Sequence, residues 1–195
     1  MEETNSFFSP AEYLTTFTTF IYGYVATQFL GGWSSMITHR KSITFSKEHL
    51  VWTLFSFVLL INIWWTSWRK IEVIANDNLL FYSTLITPFI FYFLSHLLFP
   101  DLDHLLGNDL KIFLTPAIRK MMIALAFLLL SFLLSDLLFS KHPPQNIFFN
   151  LIGIALAVVL AIFPEALVLR RIILTVAFGL LVTQLYLLSG LTHDL

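Results

Sequence analysis

The chain has 195 residues, 57% of them hydrophobic and 12% charged, with a formal net charge of -1, against about 45–50% apolar and about 25% charged in an average soluble domain. Eleven Lys/Arg and twelve Asp/Glu are too few to cover the surface of a soluble fold of this length, and so much apolar content excludes a disordered tail. The near-zero charge leaves no basic surplus for phosphates, which excludes a nucleic-acid binder, and the lack of cysteine excludes a disulfide scaffold.

A helix needs about 20 mainly apolar residues to cross a hydrocarbon core of about 30 Å. Six stretches qualify, which predicts an all-α, polytopic membrane helical bundle with short loops, a single transmembrane domain over 1–195. A β-barrel is excluded because runs such as Ile123 to Leu134 are apolar on every face instead of alternating.

The first span, 11–33, opens on Ser9-Pro10-Ala11-Glu12, a capping box with proline at the first helical position. Within it Thr15, Thr19, Gly23, Thr27 and Gly31 recur at steps of four. That spacing makes one stripe that a neighbouring backbone can approach closely, a packing face toward this chain or another copy. The second span, 49–68, carries Ser56 and Asn62 among apolar residues. Trp33 and Trp52 fall at one end of these spans and Trp64, Trp65 and Trp68 at the other; Trp52 to Trp68 covers about 24 Å at about 1.5 Å per residue, as two aromatic belts would.

The third span, 78–99, holds Thr87, then Pro88, expected to kink the helix and free a carbonyl that Thr84 and Thr87 can cover. His96 lies one turn before its end. An interfacial segment, 100–115, has the apolar spacing of a short amphipathic helix broken at Gly107; its Asp101, Asp103 and His104 read as a solvated loop and not as a metal site. The fourth span, 116–139, begins on the cap-then-proline pair Thr115-Pro116 and contains Ser131 and, near its far end, Asp136. The fifth, 147–169, and the sixth, 171–191, are separated by a tight interfacial turn from Pro164 to Arg171; Thr183 and Gln184 lie in the sixth.

Orientation follows the basic residues. The first, third and fifth loops hold Arg40, Lys41, Lys47, Lys111, Arg119, Lys120, Arg170 and Arg171, eight of the eleven, and the opposite loops hold Arg69, Lys70 and Lys141. The positive-inside rule puts the eight-charge side in the cytoplasm and both termini outside, in a bacterial inner membrane. The acidic start, with Glu2 and Glu3, lacks the basic region of a cleaved signal peptide, so the first span is expected to stay in the mature chain. All five Trp fall in the first 68 residues, against an internal inverted repeat.

No Asp, Glu, Lys or Arg falls near a midplane, which disfavours ion-coupled transport and proton pumping. The deep polar residues, Ser56, Asn62, Thr87, Ser131, Thr183 and Gln184, are neutral; they serve interhelical hydrogen bonds or line a pathway. No cysteine nucleophile, G-x-S-x-G elbow, P-loop, H-E-x-x-H or dinucleotide fingerprint is present, so no catalytic set, cofactor or metal site is expected. Asp136 and His96 are the ionisable residues nearest to a functional role.

The leading expectation is an uncoupled channel, pore or facilitator for ions or a neutral solute, working as a homo-oligomer. The rival is a non-catalytic membrane subunit, a sensor, anchor or scaffold for a cytoplasmic partner, whose basic face would also hold anionic lipid headgroups. A third class is an enzyme acting on lipids through Asp136 or the inner histidines His49, His96 and His104. A hydrated path favours transport, and a dry bundle favours the subunit.

Overall fold

The structure is a computed structural model and describes residues 9–68, 78–100, 109–139 and 147–190. Among the described residues six helices follow one another: α1 (Pro10–Thr38), α2 (Lys47–Trp68), α3 (Asn78–Leu98), α4 (Leu110–Phe139), α5 (Ile147–Ile162) and α6 (Leu167–Gly190). Among the described residues there is no strand, only an isolated bridge between Thr44 and Asp109.

The local chemistry of the helix starts explains most of these boundaries. The capping box of α1 forms: the Ser9 amide donates to Glu12 Oε2 (2.6 Å) and the Glu12 amide to Ser9 Oγ (3.2 Å), so two orphan donors are satisfied reciprocally. With no proline or αL glycine after Trp33, α1 continues to Thr38, where the His39 amide closes on Ser35 O at 3.0 Å.

Two starts differ from the sequence reading. Helix α4 begins at Leu110, not at Pro116, because Asp109 is the cap and its Oδ1 accepts from the Lys111 amide at 2.8 Å. Thr115 is therefore free of capping duty, and Leu110–Thr115, expected on the interface, belong to the helix. Helix α5 stops at Ile162 and the chain turns through Phe163, whose carbonyl accepts from the Ala166 amide at 3.3 Å. That turn is over before Leu167, which places Arg170 and Arg171 at the fourth and fifth positions of α6 instead of in the connection.

Helix α2 is the centre of the bundle, packing against α1, α3, α4 and α6, while α5 packs on α4 and α6. The α4–α5 pair is the most extensive; Gly153 permits it, since an added side-chain carbon there would meet Leu129 Cδ1 at 2.8 Å. Phe29, Trp52, Leu60, Phe91, Leu94, Met121, Leu128 and Leu160 form the fully buried middle of the core. Pro88 is buried inside α3, which is helical on both sides of it.

One end of the bundle gathers the end of α1, the start of α2, the end of α3, the starts of α4 and α6 and the end of α5. Trp33 Nε1 donates to Thr53 Oγ1 at 2.9 Å, His49 Nε2 to Leu98 O at 2.6 Å, and Arg119 Nε to Ala161 O at 3.0 Å. Gly32 lies so close to the Phe99 ring that a side-chain carbon there would collide with it. The eight basic residues named above thus gather toward one end. It is called the basic end below.

Among the described residues two helices are long and apolar enough to cross a membrane by length and composition: α2, 22 residues at mean hydropathy 1.6, and Leu110–Leu134 within α4, 25 residues at 2.1. Leu85–Leu98 and Ile147–Ile162 are shorter apolar helices.

Candidate functional site

The first two turns of α2 carry an unusual load for the interior of a bundle. Residues 48, 52 and 55 make one stripe by helical periodicity, and this stripe faces α6. At its bottom Arg170 Nε lies 3.0 Å from Glu48 Oε1, with the arginine side chain 4% and the glutamate 13% exposed. At its top Phe55 and Phe178 stack edge-on at 5.0 Å. Trp52 lies between them on the same stripe and is 1% exposed.

Arg170 extends the contact to a third helix, with Nη1 donating to Thr115 Oγ1 at 3.3 Å. The threonine expected to cap α4 serves instead as an acceptor for a buried guanidinium. Glu48 stands in the first turn of α2, where a negative charge suits the helix dipole; Arg170 stands at the fourth position of α6, where a positive charge opposes it. The carboxylate therefore offsets both the burial of the arginine and its unfavourable place on its helix.

The adjacent side of α2 turns toward α3 and α1. His49 is fully buried, its ring 6.0 Å from Phe99 and 6.4 Å from Phe113. Leu98 O, among the last carbonyls of α3 that lack an intrahelical donor, can only accept, so Nε2 carries the proton of a neutral His49 and Nδ1 presents a lone pair. Thr53 Oγ1, which accepts from Trp33, donates to Leu50 O at 3.0 Å. The aromatic belt expected at this end is accordingly an interior feature: Trp33 is half-buried and hydrogen-bonded, and Trp52 is buried. Trp64, Trp65 and Trp68 do cluster at the other end of α2, with ring centroids 6.0–6.1 Å apart.

The polar residues expected to line a pathway do not share one line. Ser56 is buried and donates to Met121 Sδ at 3.7 Å. Thr87, also buried, stands beside the Tyr22 hydroxyl and joins α1 to α3, with Ser67 of α2 near the same tyrosine. Ser131 donates to Leu128 O at 2.7 Å and Thr183, on the outer surface, to Gly179 O at 2.8 Å, each within its own helix. Asn62 is buried with Nδ2 lacking a partner. The side chain of Gln184 lies outside the described residues.

The stripe on α1 faces away from the bundle. Thr15 is half-buried and Thr19, Gly23, Thr27 and Gly31 are exposed, and nothing lies within 4 Å of a side-chain carbon added at Gly23 or Gly31. The close contact falls one position on, at Gly32, against the Phe99 ring.

His96 is exposed on α3, its ring edge-on to Tyr92 at 4.6 Å. The Asp136 side chain lies outside the described residues, but its backbone is near the far end of α4, about 39 Å along the axis from Leu110 at about 1.5 Å per residue. The fold does not bring His96 and Asp136 together. His104, Asp101, Asp103 and Gly107 lie outside the described residues, among which no group of three His, Asp or Glu is placed to hold a metal.

Sequence reasoning missed the Glu48–Arg170 pair because Arg170, near a helix end, serves there as a topology signal and Glu48, beside Lys47, belongs to no motif. The available sign was the apolar context of Arg170, between Leu167-Val168-Leu169 and Ile172-Ile173-Leu174. Comparison with family models, with curated proteins and with solved structures finds no match to this chain.

Proposed function

We propose that the chain is a six-span integral membrane protein working as a non-catalytic subunit, a sensor, anchor or scaffold whose basic end meets a cytoplasmic partner. The membrane assignment draws on composition and on the bundle's outer surface, where Phe17, Phe20, Phe89, Phe93, Phe127 and Leu134 are exposed; so much outward apolar area is unusual for a soluble monomer and suits lipid. Both termini are placed outside, with the basic end at the inner leaflet among anionic headgroups.

The observation that carries the subunit reading is the use made of the interior polar groups. Ser56 and Thr87 are buried and held in separate contacts, Ser131 bonds within its own helix and Thr183 lies on the outer surface, so these residues share no common line. Photo-crosslinking amino acids at Lys120 and Arg171, exposed at the basic end, test the reading in intact cells. Adducts with one distinct protein from both positions, absent when the crosslinker replaces lipid-facing Phe127, support it; adducts only between copies of the chain remove it.

A second reading rests on α1. Its outward Thr/Gly stripe is where copies of the chain would assemble, and the hydroxyls would then line a pore between protomers for ions or a neutral solute. Flux measured in liposomes decides: no solute or ion passing faster than through empty vesicles, over a broad panel, eliminates the pore.

A further inference from the structure

Five buried side-chain polar atoms lack a hydrogen-bond partner among the described residues, and four of them, Glu48 Oε1, His49 Nδ1, Trp52 Nε1 and Arg170 Nε, stand together at the basic end. Residues 48 and 52 are i, i+4 neighbours on α2 and 49 and 52 are i, i+3, about 5–6 Å apart at Cβ; Arg170 touches Glu48. His49 is 0%, Trp52 1% and Arg170 3% exposed, so bulk solvent does not reach them. The Glu48–Arg170 contact is an ion pair at 3.0 Å, but its N–H is not aligned for a hydrogen bond, and both atoms keep bonding capacity.

Glu48 Oε1 and Arg170 Nε at least have each other, but Trp52 Nε1 and His49 Nδ1, neighbours on α2, have no polar partner among the described residues, and a buried donor or acceptor left unmade is costly. Their chemistry is complementary. Trp52 Nε1–H and Arg170 Nε–H only donate, whereas Glu48 Oε1 accepts and His49 Nδ1, with its proton on Nε2, accepts as well. The charges of Glu48 and Arg170 already cancel, so a cation or an anion in the seam would face one like charge at close range.

We propose that the seam between the starts of α2 and α6, beside Thr115 of α4, binds a small uncharged molecule that both donates and accepts hydrogen bonds. Its oxygen accepts from Trp52 Nε1–H and its proton goes to His49 Nδ1 or Glu48 Oε1. Water meets this description, and so does a short alcohol or amide. The proposal is independent of whether the bundle is a subunit or a pore.

Nuclear magnetic resonance on the full chain in lipid nanodiscs, with 15N in the tryptophan indoles and histidine rings, tests it. The Trp52 indole is assigned through its own backbone amide, so no variant has to fold. A hydrogen-bonded indole proton with a cross-peak to water is expected if the guest is water. A hydrogen-bonded indole proton with a stoichiometric small molecule released on denaturation, seen by mass spectrometry, identifies a solute. An indole proton at the free position overturns the proposal. So does one whose only acceptor is protein, with no water cross-peak and nothing released.

Discussion

Arg170 is buried, is one turn into an apolar helix and stands at the end of that helix where its charge is unfavourable; among the described residues, Glu48 and Thr115 compensate it. Removing one member of a buried pair strands the other, which costs about 3–5 kcal/mol, whereas replacing both by apolar side chains of similar size is often neutral. Arg170→Met is therefore expected to lower unfolding stability in detergent by about 3 kcal/mol, and the Glu48→Leu/Arg170→Met double variant to recover most of it; a double variant no better than the single one would show that the pair is not what the arginine contributes. Asn62 is the opposite case, since its Nδ2 is unpartnered. Asn62→Leu keeps the shape and deletes an orphan, so stability should stay within about 1 kcal/mol or rise, as followed by the same unfolding assay. Thr53→Val, which removes the acceptor for Trp33, should lose about 1 kcal/mol.

At the scale of elements, α1 has two faces that the repeat of small residues does not distinguish. Gly32 meets the Phe99 ring, and a side chain there must displace it; Gly32→Val should destabilise by about 1–3 kcal/mol, the usual cost of overpacking. Gly23 and Gly31 face open space. Gly23→Val and Gly31→Val should leave the unfolding of the isolated chain unchanged, and light scattering in detergent should show any self-association through α1 weakened by them. Helix starts were legible where the cap is local, as with Ser9 and Glu12. The start of α4 was not, because Asp109 and Thr115-Pro116 both carry cap chemistry. The alternative that leaves Thr115 Oγ1 available to Arg170 is the one adopted, and that preference comes from a helix far along the chain.

For the whole molecule, the alternation of helix directions gathers the eight basic residues toward one end, the arrangement on which the positive-inside argument depends. The chain has no cysteine, so single cysteines report sidedness directly. In intact cells an impermeant maleimide should label Lys141→Cys and leave Lys41→Cys and Lys120→Cys unlabelled until the membrane is opened; labelling of all three at once would refute the six-span orientation.

The sequence by itself determined that the chain is helical, where its apolar segments lie and on which connections its charges fall, because these depend on composition and on neighbours within a few turns. Only the tertiary structure decided which of those residues are interior. Trp52, His49 and Arg170 stand near helix ends, as interfacial residues do, and are buried because α2 passes through the middle of the bundle with α1, α3, α4 and α6 around it. The α1 stripe, which looked like a seam, faces outward for the same reason: burial is set by which helix lies across from a residue, and no local pattern encodes that.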